Sequence, residues 1–181
     1  MSWRRAARLS ASLLLRLWFP GRAVAQTCTA ATPNGTCTVA TSTTLTIGRV
    51  VQLTLSSVAT PLTAPTLADY DAGFVANTGP TATVQSNGPW RLQITATAAT
   101  WTAANTEPGV AARANKPASD LTWSTAVGGP FAGLTVTPVD AVTAGATSSN
   151  VTSFFYRTLY SWTVDTPGSY SLIVRFTITA P

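Results

Sequence analysis

Few residues in this chain can do covalent or acid–base chemistry, and their types narrow what it can be. Its 181 residues include no histidine, two cysteines and six carboxylates. Without histidine, the common Ser–His–Asp and Cys–His arrangements are excluded, and so are most zinc sites. Asp69 and Asp71 form the one close carboxylate pair. Two residues apart on a strand they would share a face. Glycoside hydrolysis, however, needs two carboxyls across a cleft, and nothing in the sequence ties this pair to a second acid. A calcium loop would want more oxygen ligands than two carboxylates supply. The pair reads as a solvated loop feature. The expectation is a protein that is not an enzyme, with no catalytic residue, no metal and no cofactor.

What remains is binding and cross-linking. Cys28 and Cys37 flank Pro33-Asn34-Gly35, a strong turn signal. In an exported chain such a close pair forms one disulfide. Lipidation of Cys28 would need a small residue before it, and Gln26-Thr27 stand there instead. Beyond the leader described below lie four tryptophans. Trp90 and Trp162 are in phase with Leu92 and Val164, which predicts core positions. Trp101 and Trp123 flank an irregular stretch, 102–118, and are the residues expected to be exposed and able to stack on a sugar ring. Tyr170 follows the turn Asp165-Thr166-Pro167-Gly168, so its hydroxyl is expected to cap backbone groups at that corner.

The elements that must position these residues are strands. Apolar residues recur with period 2, cut by Gly, Pro and Asn, and no sustained helical period is visible. Val51, Leu53 and Leu55 alternate with polar residues. Val84 and the run Trp90, Leu92, Ile94 flank Asn87-Gly88-Pro89, which predicts a hairpin. Phe154, Tyr156, Tyr160, Trp162 and Val164 share one parity, and in a second run so do Tyr170, Leu172, Val174, Phe176 and Ile178. These two runs predict a long antiparallel pair with one apolar face that must meet a second sheet. The fold class is all-β, an immunoglobulin-like antiparallel β-sandwich of roughly seven to nine strands.

The chain begins with Arg4, Arg5 and Arg8, an apolar stretch 11–19 interrupted by Arg16, a break at Pro20-Gly21, and Ala23-Val24-Ala25. This reads as an export signal, 1–25, cleaved before Gln26. Residues 26–47 then hold the disulfide loop and a first, Thr-rich strand, part of the same domain as the sandwich body 48–181. The formal charge of +5 belongs almost wholly to the leader. After residue 25, six basic residues face six acidic ones. No nucleic-acid partner is therefore expected. No apolar run approaches the ~18–20 residues of a membrane span, so no transmembrane anchor is expected either.

Trp90-Arg91-Leu92, the aromatic-rich strand after it, Pro167-Gly168-Ser169-Tyr170 and the closing alternating strand to Ala180-Pro181 together resemble bacterial WxL surface domains. The closing strand is also similar to that of secreted pilin-like and spore-coat-U-type proteins. The resemblance spans roughly Val84 to Pro181. It implies an exported β-sandwich that associates with cell-wall material. The leading functional expectation is a secreted or cell-surface structural or adhesive protein, extracellular or periplasmic. The alternative is a carbohydrate- or cell-wall-binding module using Trp101 and Trp123. Expected partners are cell-wall polysaccharide or another surface protein. Self-assembly is open but not favoured, because the C-terminal strands look sufficient without a donated one.

Overall fold

A computed structural model describes residues 27–30 and 32–181. The leader 1–25 and its cleavage point lie outside the described residues. The chain divides into two units, Met1–Thr46 and Ile47–Pro181. In the first, Cys28 and Cys37 are bonded, with Cα atoms 5.8 Å apart. The intervening turn closes through the Gly35 N–H, which donates to the Thr32 carbonyl at 3.0 Å. The Thr-rich run 38–47 forms no strand, contrary to expectation. Threonine favours strands only where its pleated surface packs on something, and this run carries few apolar side chains to drive that packing.

The second unit is all-β. Its strands are β1 (Val51–Leu55), β2 (Phe74–Ser86), β3 (Trp90–Ala96), β4 (Thr102–Ala104), β5 (Leu121–Ser124), β6 (Ala132–Gly133), β7 (Val139–Ala144), β8 (Thr147–Leu159), β9 (Ser169–Ser171) and β10 (Val174–Thr179). They form a five-stranded sheet β1-β2-β8-β5-β6, a three-stranded sheet β10-β3-β7 and a two-stranded ribbon β4-β9. Every pairing is antiparallel. One short helix, α1 (Leu67–Ala72), precedes β2. No helix among the described residues is long and apolar enough to cross a membrane.

The alternation in β3 turns Trp90, Leu92 and Ile94 into the core at 1 %, 0 % and 1 % exposure. Val84 of β2 and Phe154 and Tyr156 of β8 meet them from the other sheet. The Phe154 ring packs edge-on against Phe176 of β10, centroids 4.8 Å apart. That contact corrects the C-terminal expectation. β8 and β10 lie in different sheets and face each other across the core, rather than pairing side by side. The expected hairpin at Asn87-Gly88-Pro89 is likewise a crossing from one sheet to the other. The Asn87 side chain accepts from the Val50 N–H at 2.9 Å and donates to the Gly48 carbonyl at 2.8 Å. Asn87 thus ties the corner to the approach of β1, while β3 pairs with β10 and β7.

Candidate functional site

Trp101 and Trp123 are not a surface platform. They are 5 % and 7 % exposed. The Trp101 indole N–H donates to the Pro117 carbonyl at 3.0 Å, and the backbone of 99–101 binds that of 116–118. Trp101 borders a groove of about 470 Å³ with Tyr156, Leu172 and Phe176, but offers it neither an open ring face nor a free donor. Trp123 packs against Phe154, centroids 6.0 Å apart. Irregular chain flanking an aromatic does not expose it when that chain folds back over the ring.

Among the described residues the exposed tryptophan is Trp162, at 59 %. Strand β8 ends at Leu159, so the parity that placed Trp162 in the core stops three residues too early. A tight turn follows. Asp165 accepts from the Ser161 N–H at 2.8 Å, and its own N–H donates to the Ser161 carbonyl at 3.0 Å. This turn lifts Trp162 out of the sheet. Its indole stacks on Tyr70, centroids 4.5 Å apart and planes 28° apart. The indole N–H donates to the Asp71 carboxylate at 3.1 Å. Tyr160 completes the cluster, 5.5 Å from Tyr70.

Tyr70 and Asp71 sit on α1, and its local chemistry is legible. Thr66 and Asp69 make a reciprocal capping box: the Thr66 hydroxyl accepts from the Asp69 N–H, and the Asp69 carboxylate accepts from the Thr66 N–H at 2.8 Å. The Thr66 hydroxyl and backbone hydrogen bonds hold the Asp69 carboxyl below its ordinary range. Gly73 ends the helix with φ of 80°, a left-handed turn that glycine adopts without strain. Its carbonyl then accepts from the Tyr160 N–H at 3.0 Å, fastening the helix end to the end of β8. Asp69 and Asp71 are thus not the expected loop pair, though Asp71 is exposed as expected. They belong to a capped helix, and Asp71 orients Trp162. The pattern Thr66-x-x-Asp69 carried that signal.

Beneath the aromatics lies a buried ion network. The Lys116 ammonium, 2 % exposed, donates to Asp165 at 2.8 Å, to Asp120 at 3.2 Å and to the Leu159 carbonyl at 2.8 Å. Arg113 bridges the same two carboxylates at 3.2 and 3.0 Å. The ammonium also lies 5.0 Å from the Tyr160 ring centroid, within cation–π range. Burial raises the Asp165 pKa, but the hydrogen bonds from Lys116 and Arg113 outweigh it and leave the carboxyl below its ordinary value of 3.8. Burial, reinforced by Tyr70 and Asp165, pushes the Tyr160 phenol up to about 12. Tyr70 is shifted upward too, by burial and then by Asp165. Both phenols are therefore neutral hydroxyls at physiological pH.

Tyr170 closes the other side of this loop system. Its hydroxyl donates to the Thr166 carbonyl at 2.7 Å and accepts from the Arg113 N–H at 2.9 Å. No protein-family model and no curated protein sequence matches this chain. Among the described residues no three His, Cys, Asp or Glu side chains gather as a metal centre would require. What the corner offers is a supported aromatic surface with hydroxyl and carboxylate groups at its margin.

Proposed function

We propose that this chain is an exported, non-catalytic β-sandwich that adheres to carbohydrate at a cell surface or in an envelope, using the corner formed by Tyr70, Asp71, Tyr160 and Trp162. The observation that carries the reading is the exposed Trp162 stacked on Tyr70 and oriented by Asp71. Clustered exposed aromatics rimmed by polar groups are the kind of patch that marks an interaction site; the indole face suits the apolar face of a sugar ring, while Asp71 and the two phenols supply polar partners. The ion network supports the corner from below. It holds Asp120 and Asp165 in pairs with Lys116 and Arg113, which does not suit them to acid–base work. Export is supported by the leader sequence and by the disulfide. The reading joins the adhesive and carbohydrate-binding expectations and moves the contact surface from Trp101 and Trp123 to Trp162.

The test is binding of the full chain to purified peptidoglycan and to soluble N-acetylglucosamine oligomers. Trp162→Ala is expected to weaken binding about tenfold, equivalent to about 1.4 kcal/mol, and to lower folding stability by only about 1 kcal/mol, the worth of one aromatic contact. Unchanged affinity in a folded Trp162→Ala variant would remove this corner from the account.

A further inference from the structure

On the outer face of the five-stranded sheet, Arg157 lies between two aromatic rings. Its guanidinium carbon is 4.6 Å from the Phe74 centroid and 4.1 Å from the Phe131 centroid. Its neighbours Tyr156 and Thr158 are buried, so by strand alternation Arg157 points away from the core. The backbone brings both rings into place. Phe74 follows the left-handed Gly73. Phe131 folds back over Gly129, whose φ is 85° and where a Cβ would stand 2.8 Å from the Phe131 ring.

Arg91 and Arg113 are neutralised, whereas Arg49 and Arg175 form no ion pair among the described residues. Arg91 meets Asp140 at 3.4 Å, and Arg113 meets Asp120 and Asp165. Arg157 forms no ion pair among the described residues, and its buried Nε has no hydrogen-bond partner there. The two rings hold the guanidinium within cation–π range, and with Nε buried its terminal N–H donors are the part that can recognise something. A fixed fork of N–H donors matches an oxyanion held by two oxygens. Arg157 stands two residues before Leu159, the end of β8, and Leu159 pairs with Phe74. The clamp therefore sits near the end of β8 from which the turn carrying Trp162 departs.

We infer that Arg157 is an anion-recognition residue and that the ligand is an acidic polysaccharide, one sugar resting on the Tyr70–Trp162 stack while a carboxylate or phosphate on the polymer meets Arg157. This rests on the carbohydrate reading of the corner. The carboxylate source is tested with polygalacturonate against its methyl-esterified form, and the phosphate source with phosphorylated mannan against plain mannan, all by calorimetry on the full chain. The expected result is about tenfold tighter binding of one charged polymer than of its uncharged partner. Arg157→Gln should abolish that preference, and Arg157→Lys should lose most of it because the fork is gone. Phe131→Leu, which keeps the charge but removes one ring, should reduce it and serves as the second variant if Arg157→Gln does not fold. Trp162→Ala should weaken charged and uncharged forms alike. Loss of preference in Arg157→Gln with no effect of Trp162→Ala would keep the anion site and sink the platform. No preference for either charged polymer, or one that survives both Arg157→Gln and Phe131→Leu, would overturn the proposal.

Discussion

Asp165→Ala should cost about 3 kcal/mol of folding stability, near the lower end of what breaking a buried ion pair costs. Lys116 is 2 % and the Asp165 side chain 4 % exposed, so removing the carboxylate leaves a desolvated ammonium. The loss is held to the lower end because Asp120 still faces Lys116 at 3.2 Å. Asp165 also ties down the turn that carries Trp162, so the variant should lose carbohydrate binding as well. The double variant Lys116→Met/Asp165→Asn should lose less than the two single variants combined, by about 1–3 kcal/mol. The same pair sets an acid dependence. The Asp165 carboxyl is held below its ordinary value in the folded protein. Its contribution is therefore fully present above the unfolded value of about 3.9 and is lost as pH falls from there through the lower folded value. Urea melts from pH 6 to pH 2 should show stability falling in that window, with a shallower fall in Asp165→Asn. Equal slopes in the two proteins would mean that the carboxylate is not paired as described.

The second large effect concerns the core. Trp90→Ala should cost about 3–5 kcal/mol, since Trp90 is 1 % exposed between the sheets and no rearrangement of its neighbours fills the space of an indole. Trp101→Ala should fall in the same range, because its ring is buried and its N–H is bound by Pro117. Denaturant melts of these variants beside Trp162→Ala separate buried from exposed tryptophan. A Trp101→Ala variant as stable as the parent would show the ring to be outside the core.

The strands themselves were legible in the sequence. Period-2 alternation names the buried face of β1, β3 and β10 because a pleated strand with one face on a core must alternate. Sheet membership was not. Asn87-Gly88-Pro89 marks where the chain turns, but a hairpin and a crossing between sheets use the same turn chemistry, and the difference lies in the distant partners Gly48 and Val50. Alternation also misled at its end. Tyr160, Trp162 and Val164 continue the parity of Phe154 and Tyr156, yet Asp165 folding back on Ser161 competes with the ladder and wins, since it is fastened by Lys116 and Arg113. The position of Lys116 had no signal in local sequence. A lone lysine in an Asn- and Pro-punctuated stretch reads as solvated, and only tertiary pairing with two aspartates makes its burial tolerable. Trp101 and Trp162 exchanged roles for the same reason: the tertiary fastening of a loop decides which ring it covers.

The proposed carbohydrate contact at this corner is tested most directly by a titration of the ¹⁵N-labelled protein with N-acetylglucosamine and galacturonic acid oligomers, following the indole N–H resonances. Binding at this corner requires the Trp162 indole to shift progressively to saturation while those of Trp90, Trp101 and Trp123 stay in place. Shifts centred on Trp101 or Trp123, or none at Trp162 with either oligomer, would contradict it.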